Sequence, residues 1–259
     1  MTATRKLLTI AALALPLVTA SAFADSIEDA NNAVRAAQAG RYDDAIRLFS
    51  SAINSDELTL TGKAQAFAYR GIAKAATGDY EGAKLDLNSS AALDSDYKGD
   101  ALAFRGYMKL VMGEPKDGAV DLARSAESHI WPYSVLWLHL ARLRGGVPDT
   151  GPHSLMNNAM ALDDNKGPDG SPGLSRWPGA VVKFMLGQAT PQQVASAAQE
   201  GDPQKLAERV CDVDFYLGEV DLAHNDAAAA KTRFQSAAEK CPFASFERMG
   251  ATSELAHLK

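Results

Sequence analysis

One short pattern returns several times along this chain, and it restricts the fold more than any single motif does. It first reads Gly40-Arg41-Tyr42-Asp43-Asp44-Ala45, with Phe49 and Ala52 following. It comes back as Gly78-Asp79-Tyr80-Glu81-Gly82-Ala83 with Leu87 and Ser90, and as Gly113-Glu114-Pro115-Lys116-Asp117-Gly118 with Leu122 and Ser125. Seven residues before the second and third turn glycines stand Gly71 and Gly106, each preceded by an arginine, Arg70 and Arg105. A fourth copy lies near the end: Tyr216-Leu217-Gly218, Asn225-Asp226, Ala230, Phe234, Ala237 and Pro242. Self-similarity at a nearly constant period marks a chain built from stacked units.

Composition adds the secondary structure. Alanine is abundant while Trp, Tyr and Phe together reach only 7%, and alanine is the best helix former. The repeated pattern resembles the tetratricopeptide repeat, a helix-turn-helix unit of about 34 residues. That resemblance implies an all-α solenoid of antiparallel helical hairpins. Small residues such as Gly71, Gly106, Ala45 and Ala83 would let paired helices approach, and Phe49, Leu87 and Leu122 would fill the gaps. The turn Gly or Asn would take the left-handed conformation that ends the first helix. Departures are Pro115 and Ala227 at the aromatic site, Gly118 in place of Ala, and Ser90 and Ser125 where Ala is usual. The expected units are Ser26 to Asn54, Ala64 to Ser95, Gly99 to about His129, and Cys211 to Pro242. A last helix, Ala244 to Leu258, is expected to cap the stack.

The first 24 residues read differently. Arg5 and Lys6 precede an apolar run from Leu7 to Val18, and small residues end in Ala22-Phe23-Ala24. This is the layout of a secretory signal cut between Ala24 and Asp25. The run is short for a membrane span of about 20 residues, and no cysteine near the cut offers a lipid attachment, so a stable membrane anchor is not expected. The chain carries 26 basic and 32 acidic residues, and losing Arg5 and Lys6 leaves a formal charge of −8. No basic stripe appears, which argues against nucleic acid as a partner. Cys211 and Cys241 are the only cysteines. After export, an isolated pair is expected to be a disulfide rather than a metal site. In the last unit they fall at the start of the first helix and the end of the second, which antiparallel packing brings together.

The expected organisation is thus a leader at 1–24, an N-terminal array of three repeats at 25–129, an irregular helical middle at 130–200, and a terminal repeat with its cap at 201–259. In the middle, Tyr133 to Arg144 reads as an apolar helix ended by Gly145-Gly146, and His153 to Leu162 as a short partner. Residues 163–176 are mostly turn formers. Trp177 to Leu186 resumes helical spacing, and Thr190-Pro191 opens a further helix. Trp177-Pro178-Gly179, Phe184-Met185-Leu186-Gly187, Phe215-Tyr216-Leu217-Gly218-Glu219, Phe246-Glu247 and Ser253-Glu254-Leu255 are similar to the C-terminal half of NlpI-like bacterial envelope proteins. That resemblance, over about residues 130–257, implies a periplasmic adaptor whose protein or peptide partner could be a protease or a cell-wall hydrolase. The chain lacks the lipid-bearing cysteine of those proteins.

Recognisable catalytic chemistry is missing. The histidines show no metal-ligand spacing and there is no H-E-x-x-H. Neither G-x-S-x-G nor G-x-x-x-x-G-K-[ST] occurs. Residues 163–170 suggest a calcium loop but have no glycine at the required position, and the closing glutamate is absent. No catalytic residue, metal or cofactor is therefore assigned. What remains is surface. The face of each first helix not covered by its partner would line a concave groove, holding Ile27, Asn31 and Val34, then Gln65, Tyr69 and Ile72, then Asp100, Phe104 and Tyr107. These aromatics would serve equally as ligand contacts or as core. The reading is a non-catalytic protein-binding module. A cell-wall hydrolase with an active site assembled only in three dimensions is one alternative, and a self-assembling unit such as a homodimer is another.

Overall fold

The computed structural model describes residues 21–55, 57–93, 95–128, 130–167, 170–242 and 245–258. Within them the protein is all-helical, with thirteen α-helices and no strand. Residues 1–20 of the expected leader lie outside the described residues, and the Ala24–Asp25 junction falls inside the first helix, α1 (Ser21–Gln38). Then come α2 (Tyr42–Asn54), α3 (Leu60–Ala76), α4 (Tyr80–Ala92), α5 (Lys98–Val111) and α6 (Pro115–Ser128). The middle holds α7 (Pro132–Gly145), α8 (Leu155–Asp164), α9 (Gly179–Met185) and α10 (Pro191–Ala198). The chain closes with α11 (Leu206–Ala223), α12 (Ala227–Lys240) and α13 (Phe246–His257). Among the described residues no helix is long and apolar enough to cross a membrane.

The repeated turn works as its residues dictate. Gly40, Gly78 and Gly113 have φ of 73°, 90° and 82°, and Asn225 takes their place in the last copy at 62°. The residue after the turn then caps the next helix: the Asp79 carboxylate accepts from the Gly82 amide at 2.9 Å, and Asp226 from the Ala229 amide at 3.0 Å. Such caps satisfy amides that the helix leaves unpaired. Arg41 provides no side-chain cap, and Pro115 sits where its missing N–H costs nothing.

Each helix packs on the next from α1 to α7, and again from α10 to α13. Gly106 shows why the small residue is needed. A Cβ there would lie 2.7 Å from the Leu122 side chain and 2.9 Å from the Gly118 carbonyl oxygen, so α5 and α6 touch backbone to side chain. The arginines beside these glycines have a shared role. Arg70 bonds both oxygens of Asp86 at 2.8 and 2.7 Å, and Arg105 does the same to Asp121 at 2.7 Å. Lys74 and Lys109 complete each trio at 2.8 Å. Burial pushes the Asp121 carboxyl up, but Arg105 and Lys109 more than offset it and hold it below the ordinary range.

Two expectations about the C-terminal part need correcting. The helix expected to start at Cys211 starts at Leu206, because Asp202 caps a short 3₁₀ turn at Pro203–Lys205 that runs straight into it. Arg209 tethers this entry by donating to the Ala198 and Asp202 carbonyls. Cys211 therefore lies inside α11, and it is bonded to Cys241 at the end of α12, with a Cα–Cα distance of 5.1 Å. The second correction concerns α13. It packs on α12 and α11, but it also reaches α5 in the N-terminal array. Ser253 donates to the Val111 carbonyl at 2.6 Å, and the Tyr107 hydroxyl donates to the Phe246 carbonyl. The last helix thus closes against the third repeat as well as against its neighbours.

Candidate functional site

The anticipated groove divides into an open part and a filled part. Ile27, Asn31, Gln65 and Tyr69 line one cleft of about 240 Å³ between α1 and α3, together with Val34. Ile27 is 55% exposed and Tyr69 39%. The Tyr69 ring leans on Phe49 and Tyr97, with centroids 6.1 and 6.3 Å away. Ile72 and Asp100 are half-buried and lie outside this cleft. Tyr107, expected on the binding face, is fully buried and so is core. Phe246 covers it at 5.0 Å and Trp137 at 4.6 Å. Phe104 is half-buried beneath the same residue, stacked on Phe246 at 5.6 Å.

A larger cavity, about 500 Å³, opens where the α1–α2 turn meets α7, α11 and the start of α13. Its aromatic wall comes from Trp131, Tyr133, Trp137 and Phe246, with Tyr42 from α2. Trp131 and Trp137 meet edge to face at 5.1 Å, and Trp137 meets Phe246 at 4.9 Å. Such tilted and edge-on contacts suit aromatic quadrupoles. Its polar wall comes from three acids, Glu208 and Asp212 on α11 and Glu247 on α13. Asp212 and Glu247 are buried and Glu208 is exposed.

Asp212 is held in place from two sides. Tyr133 donates to its Oδ2 at 2.8 Å and the Trp177 indole donates to the same oxygen at 2.6 Å. A carboxylate oxygen of Glu247 comes within 4.8 Å of one on Asp212. Burial pushes the Asp212 carboxyl up to about 6, against the pull of the Trp177 and Tyr133 hydrogen bonds. Burial also pushes Glu247 up, to about 8, and the charge on Asp212 adds to the effect. Burial thus makes the pair hold a proton up towards neutral pH, as expected for close carboxyls sharing a site. Among the described residues no lysine, arginine or histidine forms an ion pair with either.

Other groupings offer less. Cys211, Asp212 and Glu247 lie close enough to share an ion, but the Cys211 sulfur is bonded to Cys241. That leaves two carboxylates, fewer oxygens than a hard cation takes from a dedicated site. His139 pairs with Asp149 at 2.8 Å, and Arg142 shares that carboxylate at 2.7 Å. This fastens α7 to the loop before α8, where Asp149 also accepts from the Leu155 amide. Among the described residues no hydroxyl or thiol bonds to the His139 ring, so no nucleophile is set beside it.

Sequence reasoning missed the acidic pair. One signal was available: Asp212 and Glu219 sit seven residues apart in α11, among Cys211, Phe215 and Tyr216, all buried. Seven residues is two helical turns, so the acids share a buried stripe. Acids on an apolar stripe are rarely left without a function or a partner. No protein-family model matches this chain, and no curated protein matches it either.

Proposed function

We propose that the protein is a non-catalytic binding module of tetratricopeptide type, working as an adaptor in the bacterial periplasm, and that it holds an extended segment of a partner protein. Support comes from the shared turn geometry and the matching Arg70–Asp86 and Arg105–Asp121 pairs, which suit stacked, equivalent hairpins of a solenoid. The carrying observation is that one stripe of α1 joins both openings. Ile27, Asn31 and Val34 line the cleft, and Gln38, at the next helical repeat of that face, lines the acidic cavity. From Ile27 to Gln38 the stripe is about 16 Å long. That matches about five residues of extended chain. Export fits the Ala22-Phe23-Ala24 leader and the disulfide.

The test uses the chain from Asp25 onward, with a partner captured from envelope extract and then titrated in pure form. Tyr69→Ala and Gln38→Ala should each weaken binding by about tenfold, the loss of a moderate anchor. Leu85→Ala, on an exposed residue outside both openings, should leave it unchanged. Equal effects from all three substitutions would place the binding surface elsewhere.

A second reading has one feature in its favour: two buried carboxyls in different protonation states can serve as acid and base. One oxygen of each lies within 4.8 Å of one on the other, a spacing at the short end of what glycoside cleavage uses. Asp212, however, is committed to Tyr133 and Trp177. Purified cell walls incubated with the protein should release no soluble fragments; release abolished by Asp212→Asn would establish hydrolysis instead.

A further inference from the structure

The acidic cavity has a charge pattern that calls for a particular ligand. Among the described residues no lysine, arginine or histidine forms an ion pair with its two deepest acids. Burying carboxyls without a counter-charge is expensive, and here the expense is met partly by keeping one of them protonated. The wall opposite is aromatic, and aromatic faces attract cations. Trp137 is among the lining residues, and its indole N–H is buried without a hydrogen-bond partner.

We propose that this cavity takes a lysine side chain carried by the bound segment, with the ammonium between Asp212 and Glu247 and the alkyl stem against Trp131 and Phe246. The proposal deepens the adaptor reading and rests on it. Lysine fits better than arginine. A guanidinium pairs best with both oxygens of one carboxylate. On Asp212, one oxygen already accepts two hydrogen bonds. A compact ammonium can instead bridge two neighbouring carboxylates with separate N–H groups. The volume, about 500 Å³, leaves room for the flanking backbone beside the side chain.

Binding a cation between the acids favours the ionised form of Glu247, so a proton should leave as the ligand enters near neutral pH. The other groups facing the pair are Glu208, Tyr133 and Tyr216, with Tyr107, Tyr42 and Arg248 close by. Burial raises all four tyrosines from their ordinary value, so they hold their protons at this pH. Asp212 and Glu247 are left as the groups that change.

The chain carries three tryptophans. Trp131 and Trp137 line the cavity and Trp177 bonds Asp212, so intrinsic fluorescence reports on this site. The probes are N-acetyl-lysine methylamide, the arginine and norleucine analogues, and alanine methylamide with a free amino terminus. The lysine probe should give a saturable fluorescence change, and the norleucine probe, with the same stem and no charge, should bind at least tenfold more weakly. Calorimetry in buffers of different ionisation heat should show release of up to one proton at pH 7. Glu247→Gln should remove that release and weaken the lysine probe about tenfold. Asp212→Asn should weaken it similarly, while Asp149→Asn, remote from the cavity, should not. Circular dichroism confirms folding of each variant, and Glu247→Gln, nearly the same shape as the protonated acid, keeps the test alive if Asp212→Asn unfolds. Equal affinity for the lysine and norleucine probes, tighter binding of the arginine or alanine probe, or binding indifferent to Glu247→Gln would overturn the proposal. If the lysine probe fails while Tyr69→Ala and Gln38→Ala still weaken partner binding, the adaptor reading stands and the lysine assignment falls.

Discussion

Tyr69 and Tyr107 belong to corresponding helices of successive repeats, yet one lies in an open cleft and the other is sealed. Tyr69 on α3 keeps 39% of its surface, and Tyr107 on α5 keeps none. The local sequence around both is alike: Arg70 and Arg105 make the same bidentate pairs, and Lys74 and Lys109 the same third contact. By the alignment of Arg70 with Arg105, Tyr69 corresponds to Phe104 and Ile72 to Tyr107; α13 brings Phe246 onto Phe104 and Tyr107, while Tyr69 and Ile72 have no such cover. A repeat pattern thus fixes which face a side chain occupies, while the far end of the chain decides whether that face stays free. The acidic cavity forms at this same closure, so α13 removes one stretch of groove and creates a deeper site beside it.

The largest expected effect contrasts the two tyrosines directly. Tyr107→Ala should cost about 3–5 kcal/mol of folding stability, as for other core aromatics. Tyr69→Ala should cost less than about 1 kcal/mol and act on binding instead. Chemical denaturation of both variants decides this; similar losses would mean that the cleft at Tyr69 is core as well.

Next comes the disulfide. It joins residues 30 apart within the C-terminal hairpin, and a loop of that size is worth about 3–4 kcal/mol in the chain-entropy picture. Replacing Cys211 and Cys241 together by alanine should lower stability by that amount. Hydrogen exchange should show the loss concentrated in α11–α13, with α1–α4 protected as before. Uniform loosening would show that the two regions unfold as one.

The pH dependence should also fall on one side. Folding raises Asp212 to about 6, Glu219 and Glu247 to about 8, and Glu254 upward, chiefly by burial. All four lie in α11 and α13, and Glu219 has both oxygens buried without a hydrogen bond. These acids keep protons in the folded state that the unfolded chain has already lost. Their stability is therefore present at acid pH and is lost as pH rises from the ordinary carboxyl range towards 8. Asp121 and Asp149 are held low and act in the opposite sense, losing stability only below that range. Maximum stability should thus lie near about pH 5, with the melting temperature falling by about 5 °C or more towards pH 8.5. Glu219→Gln should flatten this fall. A melting temperature that rises across the interval would contradict the burial of these acids.

The smallest effect should not discriminate at all. Asp79→Ala and Asp226→Ala each remove a helix cap in equivalent turns, and each should cost about 1 kcal/mol. A large difference between them would mean that the two turns are not equivalent.

Much of the architecture was legible in the sequence because it rests on local chemistry. Gly78 and Asn225 announce a left-handed turn, and Asp79 and Asp226 a cap. Thr190, Pro191 and Gln193 spell out a capping box, and Gly146 ends α7 with φ of 61°. The site was less legible because it is not local. Nothing near Phe246 indicates that its carbonyl will meet the hydroxyl of Tyr107, more than a hundred residues earlier. Tyr133, Trp177, Asp212 and Glu247 come from four separate segments. Only the pattern of acids on the apolar stripe of α11 hinted at a buried charged site.

The most direct test places a photo-crosslinking phenylalanine analogue at residue 69 or at residue 104 of the chain. From residue 69 the account predicts an adduct to a second polypeptide. From residue 104 it predicts an internal link to α13 around Phe246, without a change in chain number. A partner adduct from residue 104, with none from residue 69, would contradict both the closure by α13 and the assignment of the open cleft as the binding track.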